Sequence, residues 1–189
     1  WDNIFWLLEI FIYFSNQVMM HEKNKEMKAL IKPFVIVIAG PAGSGKTTLS
    51  QLLCEHYGYD HISEDELTRE IFPDTYIDIE DYPDKLKVIL SQLLVRIKKI
   101  FDSGKGVVVD RINLRKEFID EIKELFHEHL LVKILWPPVE TSIRRDIENE
   151  CWTSGEKAIR LFYKKYEELK STIGEDYYHD NSQQSPKET

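Results

Sequence analysis

Residues 34–47 read FVIVIAGPAGSGKT: a continuous β-branched run enters a glycine-rich turn that ends in Lys-Thr. An apolar run without polar alternation marks a strand buried on both faces, as in parallel sheets covered by helices. The turn matches G-x-x-x-x-G-K-[ST] at every specified position, from Gly40 to Thr47. Glycines there let successive backbone N–H groups converge on an anion, and the helix that follows directs its positive end at the same point. The cradle residues are Gly40, Ala42, Gly43, Ser44, Gly45, Lys46, Thr47 and Thr48. Lys46 places a point charge on the outer phosphates of a bound nucleotide, and the Thr47 hydroxyl suits a magnesium ion.

Downstream, strand and helix patterns alternate. A helix is predicted over 47–57 with Leu49, Leu52 and Leu53 inward, and a short strand over 59–62. A long helix is capped by Asp84, carries Leu86, Ile89, Leu90, Leu93, Leu94, Ile97 and Ile100 on one face, and closes at Gly104. A buried strand follows over 106–110, a helix over 116–126, and a strand over 130–136 that Pro137-Pro138 stops. Helices over 140–150 and 156–169 flank a break at Trp152–Gly155. Residues 73–83 form a loop. Strands joined by helices through short connections define an α/β class with a mostly parallel sheet, whose ligands bind beyond the carboxyl ends of the strands.

A chain of 189 residues forms one domain without needing disulfide or metal staples. Its 25 Lys+Arg against 33 Asp+Glu give a net charge of −8, which excludes binding nucleic acid by bulk charge. Two cysteines, Cys54 and Cys151, found no disulfide framework and read as reduced thiols of a cytoplasmic protein. The domain is expected over 32–173, with a polar mobile tail over 174–189. The apolar leader, 1–31, starts WDNIFWLLEIFIYF; this stretch is too short to span a bilayer and is interrupted by Glu9. It reads either as a leader foreign to the fold or as a docked amphipathic helix, with self-association through residues 1–20 as the partner it offers. No membrane role is expected.

A guanine-reading N-K-x-D element is lacking, which separates the chain from GTPases, and a small kinase would need further groups. Asp65 ends the second strand and can accept a proton from an acceptor hydroxyl, with Glu64 and Glu66 as its competitors. Ser63 and Glu66 have the spacing of a capping box that would fix where Asp65 points. Arg69, one turn on, can bind an anionic acceptor group or pair with Glu66 or Asp65. Asp110 ends the third strand, where it can hold magnesium through water, orient the acceptor or accept from neighbouring loop amides. Arg144 and Arg145 are the candidate lid arginines that close over phosphate, with Arg145 favoured and Arg160 the weaker choice. Glu140 and Glu148 are the surface partners that would instead occupy them. His127-Glu128-His129 lacks zinc spacing and reads as a solvated helix end. Trp136, Tyr163 and Tyr166 read as packing.

The segments GPAGSGKTTLS (40–50), HISEDELTREIF (61–72), VVVDRINLRKEFIDEI (107–122), PPVETSIRRD (137–146) and EKAIRLFYKKYEEL (156–169) together resemble the P-loop kinases that act as polynucleotide 5′-hydroxyl kinases, and their small AAA-type relatives. The resemblance covers residues 34–170. It implies a P-loop NTPase fold with five parallel strands between helices and a helical lid. It further implies ATP with Mg²⁺ as donor and a hydroxyl acceptor, either a nucleic-acid 5′ end or a small metabolite. Asp65 would be the general base, Asp110 and Asn113 acceptor-side groups, and Arg144 or Arg145 the lid arginine. Two positions depart from the family pattern: Thr68 stands where relatives carry an arginine, with Arg69 beside it, and Glu148 or Asn149 stands where a second lid arginine occurs. The alternatives to a polynucleotide acceptor are a nucleoside, sugar or antibiotic, or no acceptor at all, in a module that senses ATP without turning it over.

Overall fold

A computed structural model describes residues 34–73, 83–149 and 153–183. The leader at 1–31, residues 74–82 of the loop expected over 73–83, and Cys151 lie outside the described residues. Five strands form one sheet in the order β2-β3-β1-β4-β5, every neighbouring pair parallel. They are β1 (Val35–Ala39), β2 (Asp60–Ser63), β3 (Val107–Arg111), β4 (Leu130–Leu135) and β5 (Tyr178–His179). The helices are α1 (Lys46–Tyr57), α2 (Glu64–Ile71), α3 (Pro83–Asp102), α4 (Lys116–Phe126), α5 (Val139–Ile147) and α6 (Glu156–Ile173).

Alternate residues of β1 feed two separate cores, as the period of two requires. Val35, Val37 and Ala39 face Ile89, Leu93 and Ile97 of α3, Phe118, Ile119 and Ile122 of α4, and Tyr166 of α6. Ile36 and Ile38 join Val108 and Leu135 on the opposite face, where Leu49, Leu53 and Cys54 of α1 pack. Leu52, expected inward, is instead exposed: the helix is seated through Leu49 and Leu53, one turn apart, and Leu52 falls off that stripe. Cys54 is a free thiol whose pKa burial, with Asp60 and Asp110 nearby, pushes up to about 11. Because the thiolate is the nucleophile, alkylation of Cys54 in the folded protein at pH 8 is expected to run at least tenfold slower than in the unfolded chain. Peptide mapping after a timed iodoacetamide pulse reads this separately from Cys151.

Several boundaries differ from expectation, three of them with a clear physical reason. The third helix begins at Pro83, which suits a first helical position because its missing N–H would have no partner there, so Asp84 lies inside the first turn. The helix predicted over 140–150 spans only Val139–Ile147, and the carboxylate of Asp146 accepts N–H bonds from Ser154 and Gly155, both at 3.0 Å, leading the chain into α6. The expected mobile tail is corrected over 174–183. After a short 3-10 turn at Glu175–Tyr177, β5 adds to the sheet edge with Ile134 opposite Tyr178 and Leu135 opposite His179. The Trp136 N–H donates to the His179 carbonyl at 2.7 Å, and the Trp136 ring packs against Tyr163, Tyr166 and Tyr178. A two-residue strand is too short to show a periodicity, so polar composition hid it. His129, expected at a solvated helix end, instead packs its ring against Phe34 and Phe101, while His127 and Glu128 are exposed.

Among the described residues no helix is long and apolar enough to cross a membrane.

Candidate functional site

β1 stops at Ala39, and Gly40 to Gly45 turn the chain into α1, whose N-cap is Gly45 and whose first residue is Lys46. Within the turn Ser44 N–H donates to the Pro41 carbonyl at 3.2 Å. The first N–H groups of α1 have no partner inside their own helix and converge, with the helix dipole, on the space beyond the strand. Lys46 is almost wholly buried in this cradle, whereas Thr47 and Thr48 are exposed at its mouth. Two neighbours brace the loop. The backbone of Ser142 in α5 lies directly against Gly43. Asn181, just beyond β5, donates from Nδ2 to the Ser44 carbonyl at 2.9 Å.

The Asn181 brace also fixes a lid candidate. Arg145 donates from Nη2 to the Asn181 carbonyl oxygen at 3.2 Å, so α5, the residues after β5 and the phosphate loop are tied together at one place. Arg144 is exposed and lines an open groove with Glu140, Glu148 and Glu156. Arg160, the weaker candidate, is held by Glu156 at 2.8 Å and Glu140 at 3.2 Å on the protein surface. Tyr163 fastens the start of α5 to α6: its hydroxyl donates to the Pro137 carbonyl at 2.6 Å and lies 2.9 Å from Ser142 Oγ. Burial pushes the Tyr163 phenol up to about 12, keeping it neutral in this role.

On the other side of β1 lie β3 and then β2. The register aligns Ser63 with Asp110 and Asp110 with Ile38, so α2 begins at the same carboxyl edge as the phosphate loop, two strands away, or about 10 Å laterally. Ser63 is the N-cap of α2, its hydroxyl accepting from the Glu66 N–H at 3.4 Å. The three acidic residues of the first turn then separate sharply. Asp65 and Glu66 are exposed. Glu64 is fully buried: its Oε1 accepts from Arg111 Nη2 at 2.9 Å, and its Oε2 accepts from the backbone N–H groups of Ile112 and Asn113, both at 3.2 Å. Of the three carboxylates, only Asp65 and Glu66 are therefore open to solvent. Burial raises the Glu64 pKa above the ordinary carboxylate range, and Arg111 with the two loop amides opposes that rise only in part. Arg69, one turn on, is exposed, and α2's surface ion pair is instead Glu70 with Arg96 at 2.6 Å.

Asp110 is buried, and its partner among the described residues is His61, whose Nε2 lies 3.1 Å from Oδ2. The hydrogen bond to Asp110 raises the His61 pKa above its ordinary value. Asn113 lines a cavity of about 440 Å³ between the start of α4 and α6, together with Arg115, Lys165 and Tyr166. The Tyr166 hydroxyl donates to the Ile112 carbonyl at 2.9 Å and closes that loop from the other side.

Glu64, His61, Asp146 and Asn181 are site-building residues that motif spacing did not single out for these roles. The polar dipeptide after a two-residue strand gave no signal for Asn181. For Glu64 a signal existed in the helical repeat: Glu64, Leu67 and Thr68 share the inward stripe, which the exposed Asp65 leaves.

Among the described residues no cluster of three or more His, Cys, Asp or Glu is placed to hold a metal by itself. An exposed threonine hydroxyl at the loop mouth and a carboxylate on the adjacent strand fit magnesium, which keeps several waters and takes phosphate oxygens as further ligands.

Curated relatives include an adenylate kinase of Parabacteroides distasonis, 37% identical over 82 residues, a match covering 40% of this chain and 43% of that protein. The chain thus spans under half the length of this relative. Among solved structures, a gluconokinase from Sinorhizobium meliloti 1021 superposes with a TM-score of 0.58 at 22% identity, covering 83% of this chain and 87% of that one. A shikimate kinase from Acinetobacter baumannii in complex with shikimate gives 0.59 at 20% identity, covering 85% and 90%. The fold is shared with these kinases. A family model described as an AAA domain, AAA_33, matches residues 35–147, more than half of the sequence, and the chain belongs to that P-loop family.

Proposed function

We propose that the protein is an ATP-dependent kinase that transfers the γ-phosphoryl group to a hydroxyl of a small-molecule acceptor. The observation that carries this reading is the exposed carboxylate of Asp65, on a capped helix at the same sheet edge as the phosphate loop. A nucleotide holder has no need of it; a phosphotransferase needs an acceptor-side base beside its donor cradle.

In this reaction Lys46 and the first N–H groups of α1 hold the outer phosphates, and Asp65 accepts the proton of the acceptor hydroxyl. That oxygen forms a bond to the γ-phosphorus as the bond from phosphorus to the bridging β,γ-oxygen breaks, releasing ADP. Arg145, poised between α5 and the residues after β5, is the arginine that stabilises charge on the transferring group. Thr47, and Asp110 through water, would hold magnesium, which neutralises phosphate charge when bound. Asn113, the acceptor-side group of this reading, lines a cavity of small-molecule size. A small acceptor is favoured over a polynucleotide by the net charge of −8, by Thr68 where polynucleotide-kinase relatives carry an arginine, and by the acidic surface around Asp65. The kinase names of the relatives and structural neighbours agree with the reaction class.

Transfer of labelled γ-phosphate across a panel of nucleoside monophosphates, nucleosides, sugars, sugar acids and 5′-hydroxyl oligonucleotides tests the proposal. Labelled small-molecule product, with acceptor affinity nearly flat in salt, is the expected result. A labelled oligonucleotide whose binding falls steeply with salt would move the assignment to a polynucleotide acceptor. ATP hydrolysis with no labelled acceptor anywhere would point to a sensing module instead.

A further inference from the structure

The most unusual arrangement near the site lies behind it. Glu64 and Arg111 are 0% and 1% exposed, at the ends of two neighbouring strands, on α2's first turn and the last residue of β3. An ion pair so deeply buried recovers its desolvation cost poorly and is weak evidence for stability. Even with Glu64 in place, the Nε and Nη1 donors of Arg111 have no hydrogen-bond partner among the described residues, and its guanidinium rests on the Phe118 ring at 3.9 Å. What the pair does visibly is geometric. One Glu64 oxygen takes Arg111, while the other takes two consecutive loop amides, Ile112 and Asn113. The same carboxylate therefore joins the helix turn that bears Asp65 to the loop that bears Asn113.

We propose that Glu64 and Arg111 are positioning residues: the buried pair clamps the first turn of α2 to the loop after β3, setting Asp65 and Asn113 relative to each other for the acceptor. The proposal rests on the kinase reading for the meaning of that placement, but the clamp itself can be judged without it. Arg111 orients the Glu64 carboxyl, and Glu64 passes that orientation to both loops. Neither needs to touch the acceptor.

Removing one partner alone leaves a lone buried charge, so Glu64→Leu is expected to lower the melting temperature by roughly 10 °C, or to prevent folding. Two double variants avoid that problem. Glu64→Leu/Arg111→Met removes both charges and the oxygen that receives the loop amides. Glu64→Gln/Arg111→Gln removes both charges but keeps such an oxygen. Hydrogen–deuterium exchange, binding of a fluorescent ATP analogue, and turnover with the best acceptor from the panel are compared across the two and the unmodified chain.

The clamp predicts that the Leu/Met variant exchanges at least tenfold faster at the 112–113 amides and the α2 first turn, and turns over at least tenfold more slowly, with analogue affinity unchanged within twofold. The Gln/Gln variant should recover most of both, even where the two melt at the same temperature. The proposal is overturned if exchange in these segments is unaltered, or if turnover follows melting temperature rather than the presence of the amide-accepting oxygen. Should the unmodified chain label no acceptor, the kinase reading fails, and the exchange pattern alone decides whether the clamp exists.

Discussion

Asp65→Asn is expected to leave ATP-analogue affinity within about twofold of the unmodified chain and to slow phosphoryl transfer by about 10²–10⁴-fold, the range that a positioned general base supplies. The substitution preserves shape and volume and removes only the ability to take a proton. Asp65 is exposed, and no hydrogen bond within the described structure depends on its charge, so the melting temperature should change little. The result is read as kcat with saturating ATP beside a separate binding titration. Loss of turnover with binding intact separates a kinase from a module that only senses ATP, because a sensor would keep both ATP affinity and its output. Equal turnover in the two proteins would remove Asp65 from the chemistry and leave Glu66, the exposed neighbour, as the next candidate. Glu64 could not take over without giving up Arg111 and both loop amides.

The phosphate loop was legible because its chemistry is local: glycine placement, the lysine and the flanking strand and helix all lie within residues 34–57. β1, β3 and β4 were legible for a similar reason, each being built on a largely apolar run, as expected where a parallel sheet is covered on both faces, whereas β2 (Asp60–Ser63) has only Ile62 fully buried and was read one residue early. The fifth strand came only with the family resemblance, since Tyr178–His179 is two residues long and derives its stability from pairing with β4 rather than from its own pattern. In the site, Leu67 and Thr68 mark the inward face of α2 and put Glu64 on it, but the partner that claims Glu64 there, Arg111, lies far along the chain. Arg145 was favoured over Arg144 without a partner to name for it, because the group that engages Arg145 is the Asn181 backbone, in a segment whose composition reads as tail. Non-local partners carry no signature in spacing.

Gly43→Ala should be the most disruptive single-atom-group change in the loop, costing on the order of 2–4 kcal/mol of stability and at least tenfold in ATP-analogue affinity. Two effects combine. The backbone at Gly43 has φ of +72°, where a side chain is strained, and a Cβ placed there would overlap the Ser142 carbonyl. Ser142 cannot withdraw cheaply, because its helix is fastened by Tyr163 through Ser142 Oγ and the Pro137 carbonyl, and by Asp146 through Ser154 and Gly155. The alternative is for the loop to move, which spoils the convergence of N–H groups on phosphate. Gly104→Ala supplies the control: its φ is +85°, but a Cβ there meets nothing within 4 Å, so only the backbone cost of about 1 kcal/mol remains and nucleotide affinity should not change. Thermal melts of both variants, with and without the ATP analogue, therefore isolate the contact between loop and α5 from backbone strain. If Gly43→Ala behaves like Gly104→Ala in both measurements, α5 yields freely, and the rigid brace ascribed to Ser142 does not exist.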